Sequence, residues 1–227
     1  MPEAPLAVHA WPDGLAQALT DLRSIGMTAL SVPTSLTACR TDARHAIRHA
    51  VQHTLAAFLD RPAASVAVLS RPGQAPQVAA PGAGLVHLSI SHLPSFSVAA
   101  ISLQGAVGVD VMAIDTQSLP DWADVARDYL GPLAAKALLQ TPPHNHPAAF
   151  AHAWTTMEAC LKCLGLGLTE WTPGLAARLQ ECTLTTLALP AGSCGFLAFQ
   201  PAAKGPDVVQ PGMPLTPPAG WAGTRFR

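Results

Sequence analysis

The segment FAHAWTTMEACLKCLG constrains the fold of this chain more than any other. Phe150, Trp154, Glu158 and Lys162 fall at four-residue intervals in it, and this spacing predicts a helix over 147–164 that carries all four on one stripe. The aromatic end of the stripe is expected to be buried in a core. The carboxylate and the ammonium are expected at an edge, where their order along the helix favours a pair.

The charge pattern excludes several classes of partner. Only 12% of the residues are charged and the net charge is -1, so the composition predicts neither nucleic-acid nor membrane-surface binding. The uncharged stretch between Arg71 and Asp110 is interrupted by prolines and glycines, which favours strands and turns over a membrane span. The amino terminus lacks the basic start and apolar run of a signal peptide. We therefore expect a cytoplasmic protein.

Helix patterns and strand patterns alternate twice along the chain, which predicts an α+β fold. Asp42 is expected to cap a first helix over 43–60, and Asp121 to open a later one. In the first half, and at its junction with the second half, strands are expected at 65–70, 85–91, 95–103 and 106–111. The last three are expected to form an antiparallel meander. Strands of the second half are expected at 175–180, 183–190 and 194–200.

This alternation divides the chain into two pseudo-equivalent halves, each a helix packed on a small, mainly antiparallel sheet. The expected boundaries are 1–104 for the first half, 105–200 for the second and 201–227 for an irregular tail rich in proline and glycine. A ligand cleft is expected between the halves. Because one chain could build the complete cleft, we expect a monomer.

Cysteines and histidines give two patterns that could bind metal. Cys160 and Cys163 form a CxxC, but they lie inside a predicted helix without a second such pair, so helix packing is favoured over zinc or thiol-redox chemistry. His45, His49 and His53 recur at four-residue spacing without a nearby carboxylate, which argues against a catalytic metal. The odd count of five cysteines, together with the absence of an export signal, predicts free thiols.

Three short segments resemble the signatures of a known enzyme family. They are SISH at 89–92, GVDV at 108–111 and WTTMEACLKCLG at 154–165. They resemble, in the same order, the NISHS, G(I/V)D(I/V)E and WxxKExxxKxxG segments of 4'-phosphopantetheinyl transferases of the surfactin-synthetase type, and the separation of the last two also matches. The resemblance spans about residues 40–200, and three ordered motifs are more specific than one.

The resemblance implies transfer of the 4'-phosphopantetheine arm of coenzyme A to a serine of an apo acyl or peptidyl carrier protein, with release of 3',5'-ADP. Breaking a pyrophosphate bond requires neutralisation of oxygen charge, which Mg²⁺ or Mn²⁺ held by carboxylates can supply. The resemblance implies that Asp110 and Glu158 bind this metal. It also implies that Lys162 binds the pyrophosphate and that Glu158 helps to remove the proton of the serine.

Further residues are implied in coenzyme A binding. By resemblance, Ser91 and His92 contact its phosphates, although a histidine satisfied locally at a strand end is the alternative. Arg40 and Arg44 lie where the family places basic residues for the 3'-phosphate, with Arg44 the preferred candidate and a solvated face the alternative for Arg40 and its neighbour Arg48. Together with Gln74, these residues form the predicted coenzyme A site.

The chain departs from the family pattern at three positions. Met112 stands where the family carries a second acidic residue, Met157 where it carries a lysine, and Gln74 where a GKP turn would carry another lysine. A thioether cannot replace a carboxylate as a ligand of Mg²⁺. Two hypotheses follow from the resemblance: an active transferase, or a catalytically impaired member that binds coenzyme A or a carrier protein. A zinc or thiol-redox protein is a third hypothesis, independent of the resemblance.

Overall fold

The computed structural model describes residues 4–35, 39–70, 74–81, 84–114 and 121–202. These residues form two β-sheets with helices packed on them, so the α+β class predicted from the sequence is confirmed. No helix among them is both long and apolar enough to cross a membrane.

The first sheet has six strands, in the order β1-β2-β6-β5-β4-β3. Neighbouring strands in this sheet pair antiparallel, except β1 and β2, which pair parallel. Its strands are β1 (Val8–Ala10), β2 (Met27–Pro33), β3 (Ala67–Leu69), β4 (Gln77–Ala79), β5 (His87–His92) and β6 (Phe96–Ser102). The helices between these strands are α1 (Leu15–Ser24) and α2 (Arg40–Phe58).

The second sheet has three antiparallel strands, in the order β7-β9-β8. They are β7 (Gly105–Ala113), β8 (Thr183–Thr186) and β9 (Ser193–Pro201). The helices of this part are α3 (Trp122–Val125), which continues as a π-helical turn over 126–130, α4 (Pro132–Gln140), α5 (His146–Cys163) and α6 (Pro173–Leu179). The aromatic helix predicted over 147–164 is therefore α5.

The core is layered, because alternate residues of a strand point to opposite faces of its sheet. Ala99 and Ile101 of β6 join Ile47 and Leu55 of α2 in one buried cluster. Neighbouring positions of β6, including Val98, join buried residues of β7 and β9 in a second cluster. The first sheet thus lies between α2 and the second sheet, and α5 packs on β7 and β9.

Two strand predictions are wrong. The segment at 175–180 lies mostly in α6, because Thr172 caps that helix by accepting a hydrogen bond from the amide of Leu175 at 3.0 Å, and Pro173 fits its first turn. The predicted meander also fails at its third strand, because β7 pairs with β9 and not with β6. Its buried valines, Val107 and Val109 among them, pack on the face of β6 instead.

Other differences concern the amino-terminal part. The sequence reasoning predicted none of β1, α1 and β2, although β2 is a fully paired neighbour of β6. Asp42 is not the N-cap of α2, which is Cys39. Asp42 lies three residues further on, where its carboxylate accepts from the amide of Cys39 at 3.3 Å. Strand β9 includes Pro201, the first residue of the expected tail, and residues 203–227 of that tail lie outside the described residues.

Candidate active site

The site begins with the close approach of β7 and α5. A Cβ atom on Gly108 would lie 2.0 Å from the carbonyl oxygen of Ala159 and 2.4 Å from the amide nitrogen of Cys163. Only glycine therefore allows this approach. Since side chains alternate along a strand, Gly108 and Asp110 share the face of β7 that is turned to α5. The strand thus presents a carboxylate to the helix at the point of closest packing.

The stripe on α5 is divided between a core and a cavity. Phe150 is buried, and its ring stacks on that of Trp154 with centroids 5.7 Å apart. Glu158 and Lys162 follow on the same stripe and are half-buried where they line the cavity. The predicted burial of the aromatic end therefore agrees with the structure. In the described part of the chain, however, Glu158 makes no ion pair with Lys162.

Lys162 pairs instead across the two elements. Its Nζ donates to Oδ1 of Asp110 at 2.6 Å and to the carbonyl oxygen of Val109 at 3.1 Å. An ammonium has three donor hydrogens, so one remains for another acceptor. Lys162 is thereby fixed at the wall of the cavity and can still donate one hydrogen bond to a ligand.

Two serines of β5 meet the edge of β7 that β9 does not cover. Ser91 Oγ donates to Oδ1 of Asp110 at 2.8 Å and accepts from the amide of Val111 at 3.3 Å. Ser89 Oγ accepts from the amide of Val109 at 3.0 Å. These hydroxyls replace a backbone ladder between β5 and β7. They also connect the two sheets at the position of Asp110.

All these groups border one open cavity of about 1040 Å³. Every residue that the sequence reasoning assigned to catalysis, coenzyme A or metal lies in its wall. They are Arg40, Arg44, Gln74, Ser91, His92, Asp110, Glu158 and Lys162. The structure therefore brings together residues that are far apart in the sequence: Arg40 and Lys162 are separated by 122 positions.

The cavity is cationic, although the whole chain carries a net charge of -1. Arg40, Arg44 and Arg48 line it from α2 and Lys162 from α5, against the carboxylates of Asp110 and Glu158. Such a concentration of positive charge attracts polyanionic ligands, and guanidinium groups bind phosphate oxygens with paired hydrogen bonds. The charge distribution therefore favours a phosphorylated ligand.

Two ionisable groups in the cavity have shifted pKa values. Burial raises the pKa of Glu158, and the charge of Asp110 raises it further, while Lys162 opposes both effects. Burial lowers the pKa of His92 to about 4, helped first by the charge of Arg44. His92 is therefore neutral at neutral pH, with its Nδ1 hydrogen-bonded to Ser97 Oγ at 2.7 Å. Glu158 is a stronger base than an ordinary carboxylate.

The carboxylate pair fits a hard divalent cation. Mg²⁺ in proteins commonly takes one or two carboxylates and completes its six positions with phosphate oxygens and waters. Asp110 and Glu158 border the same cavity and lie close enough for the charge of one to raise the pKa of the other. Both hydrogen bonds from described side chains to Asp110 end on Oδ1, so they do not occupy Oδ2.

The two methionines that depart from the family pattern have different surroundings. Met112 lines the cavity and packs against a cluster that includes Phe150 and Trp154. Met157 is buried on another side of α5, where it packs with Leu161 and Leu175. Compared with the family pattern, Met112 therefore replaces an acidic residue in the cavity wall. Met157 replaces a lysine at a position outside that wall.

The other candidate metal patterns are explained by packing. Cys160 and Cys163 are buried free thiols in the cluster between α5 and β9. The rings of His49 and His53 lie 4.1 Å apart, and both contact the ring of Trp11. The described residues contain no group of three or more histidine, cysteine, aspartate or glutamate side chains arranged to hold a metal.

Sequence reasoning left some residues of the cavity wall, and one contact outside it, without a firm assignment. For Arg48 a solvated face was the alternative to phosphate binding, and Arg48 lies in the cavity wall. Trp154 was expected only as an anchor, yet it also lines the cavity. The role of Ser89 as an acceptor for the amide of Val109 had no sequence signal, because it depends on the contact between two separate sheets.

Parts of this chain are similar to known proteins. Residues 106–201 match the family model of the 4'-phosphopantetheinyl transferase superfamily. This range includes the second and third signature segments but not SISH. The 4'-phosphopantetheinyl transferase psf-1 of Bacillus pumilus is 30% identical over 104 residues, which are 46% of this chain. The aligned part spans 42% of that relative's length. The resemblance found in the sequence is thus confirmed for residues 106–201, which are similar to the 4'-phosphopantetheinyl transferase superfamily.

Proposed function

We propose that this protein transfers the 4'-phosphopantetheine arm of coenzyme A to a serine of an apo acyl or peptidyl carrier protein and releases 3',5'-ADP. One observation carries the proposal: four cationic side chains and two carboxylates border a single cavity in a chain with a net charge of -1. The superfamily match and the name of the Bacillus pumilus relative support the same reaction.

The cations are proposed to bind the phosphates of coenzyme A. Arg44 and Arg40 would bind the 3'-phosphate, with Arg48 beside them and Gln74 contributing an amide. The neutral ring of His92 would donate from Nε2 when Ser97 donates to its Nδ1, since a neutral imidazole has one N–H. Lys162 would use its remaining hydrogen on the pyrophosphate and so stabilise the charge of the leaving 3',5'-ADP.

Asp110 and Glu158 are proposed to hold Mg²⁺, or Mn²⁺ in its place. The ion would neutralise charge on the pyrophosphate oxygens when bound. Glu158 is also the proposed acceptor of the proton from the attacking serine, a role that its raised pKa favours. The first half of the chain, 1–104, would supply most of the nucleotide side of the cavity, and the second half, 105–200, its carboxylates.

The partners and setting follow from the same proposal. One chain supplies every residue of the cavity wall, so we propose that the monomer is active. Coenzyme A and an apo carrier protein are the substrates, and we propose that the reaction takes place in the cytoplasm. The five free cysteines agree with a reducing compartment.

The test is a transfer assay read by mass spectrometry. Several apo carrier proteins are incubated with coenzyme A and with Mg²⁺ or Mn²⁺, and one of them should gain the mass of one phosphopantetheine. Asp110→Ala and Glu158→Ala should abolish the gain. Glu170→Ala is the matched control, because Glu170 is an exposed carboxylate outside the cavity. If no carrier gains mass with either metal, the proposed reaction is excluded.

Met112 favours one alternative, a member that binds coenzyme A or a carrier protein without transfer. Its side chain lies in the cavity wall, where the family has a carboxylate. In that case the wild-type protein would bind coenzyme A but give no product, and Met112→Glu, alone or with Met157→Lys, would restore transfer. Transfer by the wild-type protein would exclude this alternative.

A further inference from the structure

The seam between β5 and β7 contains two serines with different partners. Ser91 and Ser89 both lie on the face of β5 that is turned to the second sheet, and both accept a hydrogen bond from an amide of β7. Only Ser91 also bonds a side chain, donating to Oδ1 of Asp110 at 2.8 Å. The two residues therefore form a natural comparison.

The chemistry of a hydroxyl limits what Ser91 can do. A serine hydroxyl has one hydrogen and two acceptor lone pairs. In Ser91 the hydrogen is given to Asp110, and one lone pair is taken by the amide of Val111. Phosphate oxygens at neutral pH accept hydrogen bonds, so Ser91 has no hydrogen left to offer a phosphate while it bonds Asp110. This differs from the role in phosphate binding that the family resemblance implied.

The surroundings strengthen the bond to Asp110. Ser91 and Asp110 are both buried, with 6% and 8% of their surfaces exposed. A hydrogen bond to an ionised carboxylate is stronger than one between neutral groups, and water competes poorly for it at a buried position. Lys162 donates to the same oxygen at 2.6 Å. Two donors from different elements thus converge on Oδ1 and fix the orientation of the carboxylate.

We propose that Ser91 is a positioning residue for Asp110: its hydroxyl holds Oδ1, so that Oδ2 serves a divalent cation, and this hydroxyl does not donate to coenzyme A. The inference rests on the proposed function, because the cation belongs to that function. It assigns a specific task to the SISH segment, whose neighbouring His92 remains the proposed phosphate contact.

The test separates cation affinity from nucleotide affinity. Binding of coenzyme A is measured by calorimetry in the presence of a chelator, and binding of Mn²⁺ is then measured by electron paramagnetic resonance with coenzyme A present. Ser91→Ala should weaken Mn²⁺ binding about 10- to 100-fold, as expected for loss of a group that orients a metal ligand. It should leave binding of coenzyme A without metal unchanged. In transfer assays, kcat should fall while the KM for coenzyme A stays the same.

Ser89→Ala is the matched control. It removes an acceptor from an amide of the same strand edge, but no bond to a carboxylate, so Mn²⁺ binding should not change. Ser91→Thr keeps the hydroxyl and should restore Mn²⁺ binding toward the wild-type value. The inference is overturned if Ser91→Ala weakens coenzyme A without metal, if it leaves Mn²⁺ binding unchanged, or if Ser89→Ala has an equal effect.

A double-mutant cycle of Ser91 and Asp110, measured by unfolding stability, tests the positioning role independently of the proposed function. If the wild-type protein binds neither coenzyme A nor Mn²⁺, the proposed function fails, and urea unfolding then decides the role of Ser91. The expected result is that Ser91→Ala lowers the midpoint in the wild-type background but lowers it less in an Asp110→Asn background, because the bonded charge is gone. Equal effects in both backgrounds would overturn the positioning role.

Discussion

Replacing Gly108 by alanine should separate α5 from β7 and disable the site. A Cβ atom at this position would lie 2.0 Å from the carbonyl oxygen of Ala159, whereas an ordinary contact between heavy atoms is about 3.5 Å. The helix would therefore have to withdraw by about 1.5 Å. The atoms involved are backbone atoms of a buried helix, so no flexible side chain can absorb the change.

The expected consequences are large for one added methyl group. Overpacking of this kind should lower the free energy of unfolding by about 3 kcal/mol, the upper end of its usual range. The same withdrawal would stretch the bond of 2.6 Å from Lys162 to Asp110 and move Glu158 away from its proposed partner. Transfer activity should therefore fall by about tenfold or more even where the variant remains folded.

Urea unfolding and the transfer assay measure these two effects. Gly174→Ala is the matched control, because the nearest atom to a Cβ there is 4.0 Å away. That change should raise stability slightly, by about 0.5 kcal/mol, and leave transfer unchanged. If Gly108→Ala unfolds at the same urea concentration as the wild-type protein and keeps its activity, the close approach of β7 and α5 does not control the site.

Three further predictions concern charge, protonation and helix capping. Arg44→Ala should weaken binding of 3',5'-ADP about tenfold, as measured by calorimetry, whereas Arg61→Ala should not, since Arg61 lies outside the cavity wall. The pKa of His92 is lowered from 6.5 to about 4, so its neutral form stabilises the fold above pH 6.5. That contribution should be lost as the pH falls toward 4, and urea midpoints of His92→Gln should show a smaller loss over this range. Thr172→Ala should cost about 1 kcal/mol of unfolding free energy through loss of the cap of α6.

The parts of the fold that the sequence predicted were those with strong local patterns. The four-residue stripe from Phe150 to Lys162 predicted α5, and the apolar face of α2 was visible in the same way. The segment at 175–180 was misread as a strand because a short helix has little periodicity, and the signal in Thr172 and Pro173 was overlooked. The partner of β7 could not be predicted, since pairing with β9 is a contact between residues about 90 positions apart.

In the candidate site, too, local motifs were predictable from the sequence and long-range contacts were not. Motifs in the sequence selected Asp110, Glu158 and Lys162, and all three line one cavity. Their order along the helix favours a pair between Glu158 and Lys162, yet the ion pair of Lys162 is with Asp110 on a strand. That choice depends on how closely α5 approaches β7, and thus on Gly108, which the sequence reasoning noted only as part of a motif.

The central claim is that the carboxylates and cations of this cavity transfer phosphopantetheine, and the mass of a carrier protein tests it most directly. One apo carrier is incubated with coenzyme A, Mg²⁺ and either the wild-type protein, Glu158→Gln or the exposed control Glu170→Gln. The account predicts addition of one phosphopantetheine by the wild-type protein and the control, and none by Glu158→Gln. Equal product from Glu158→Gln and the wild-type protein would contradict it.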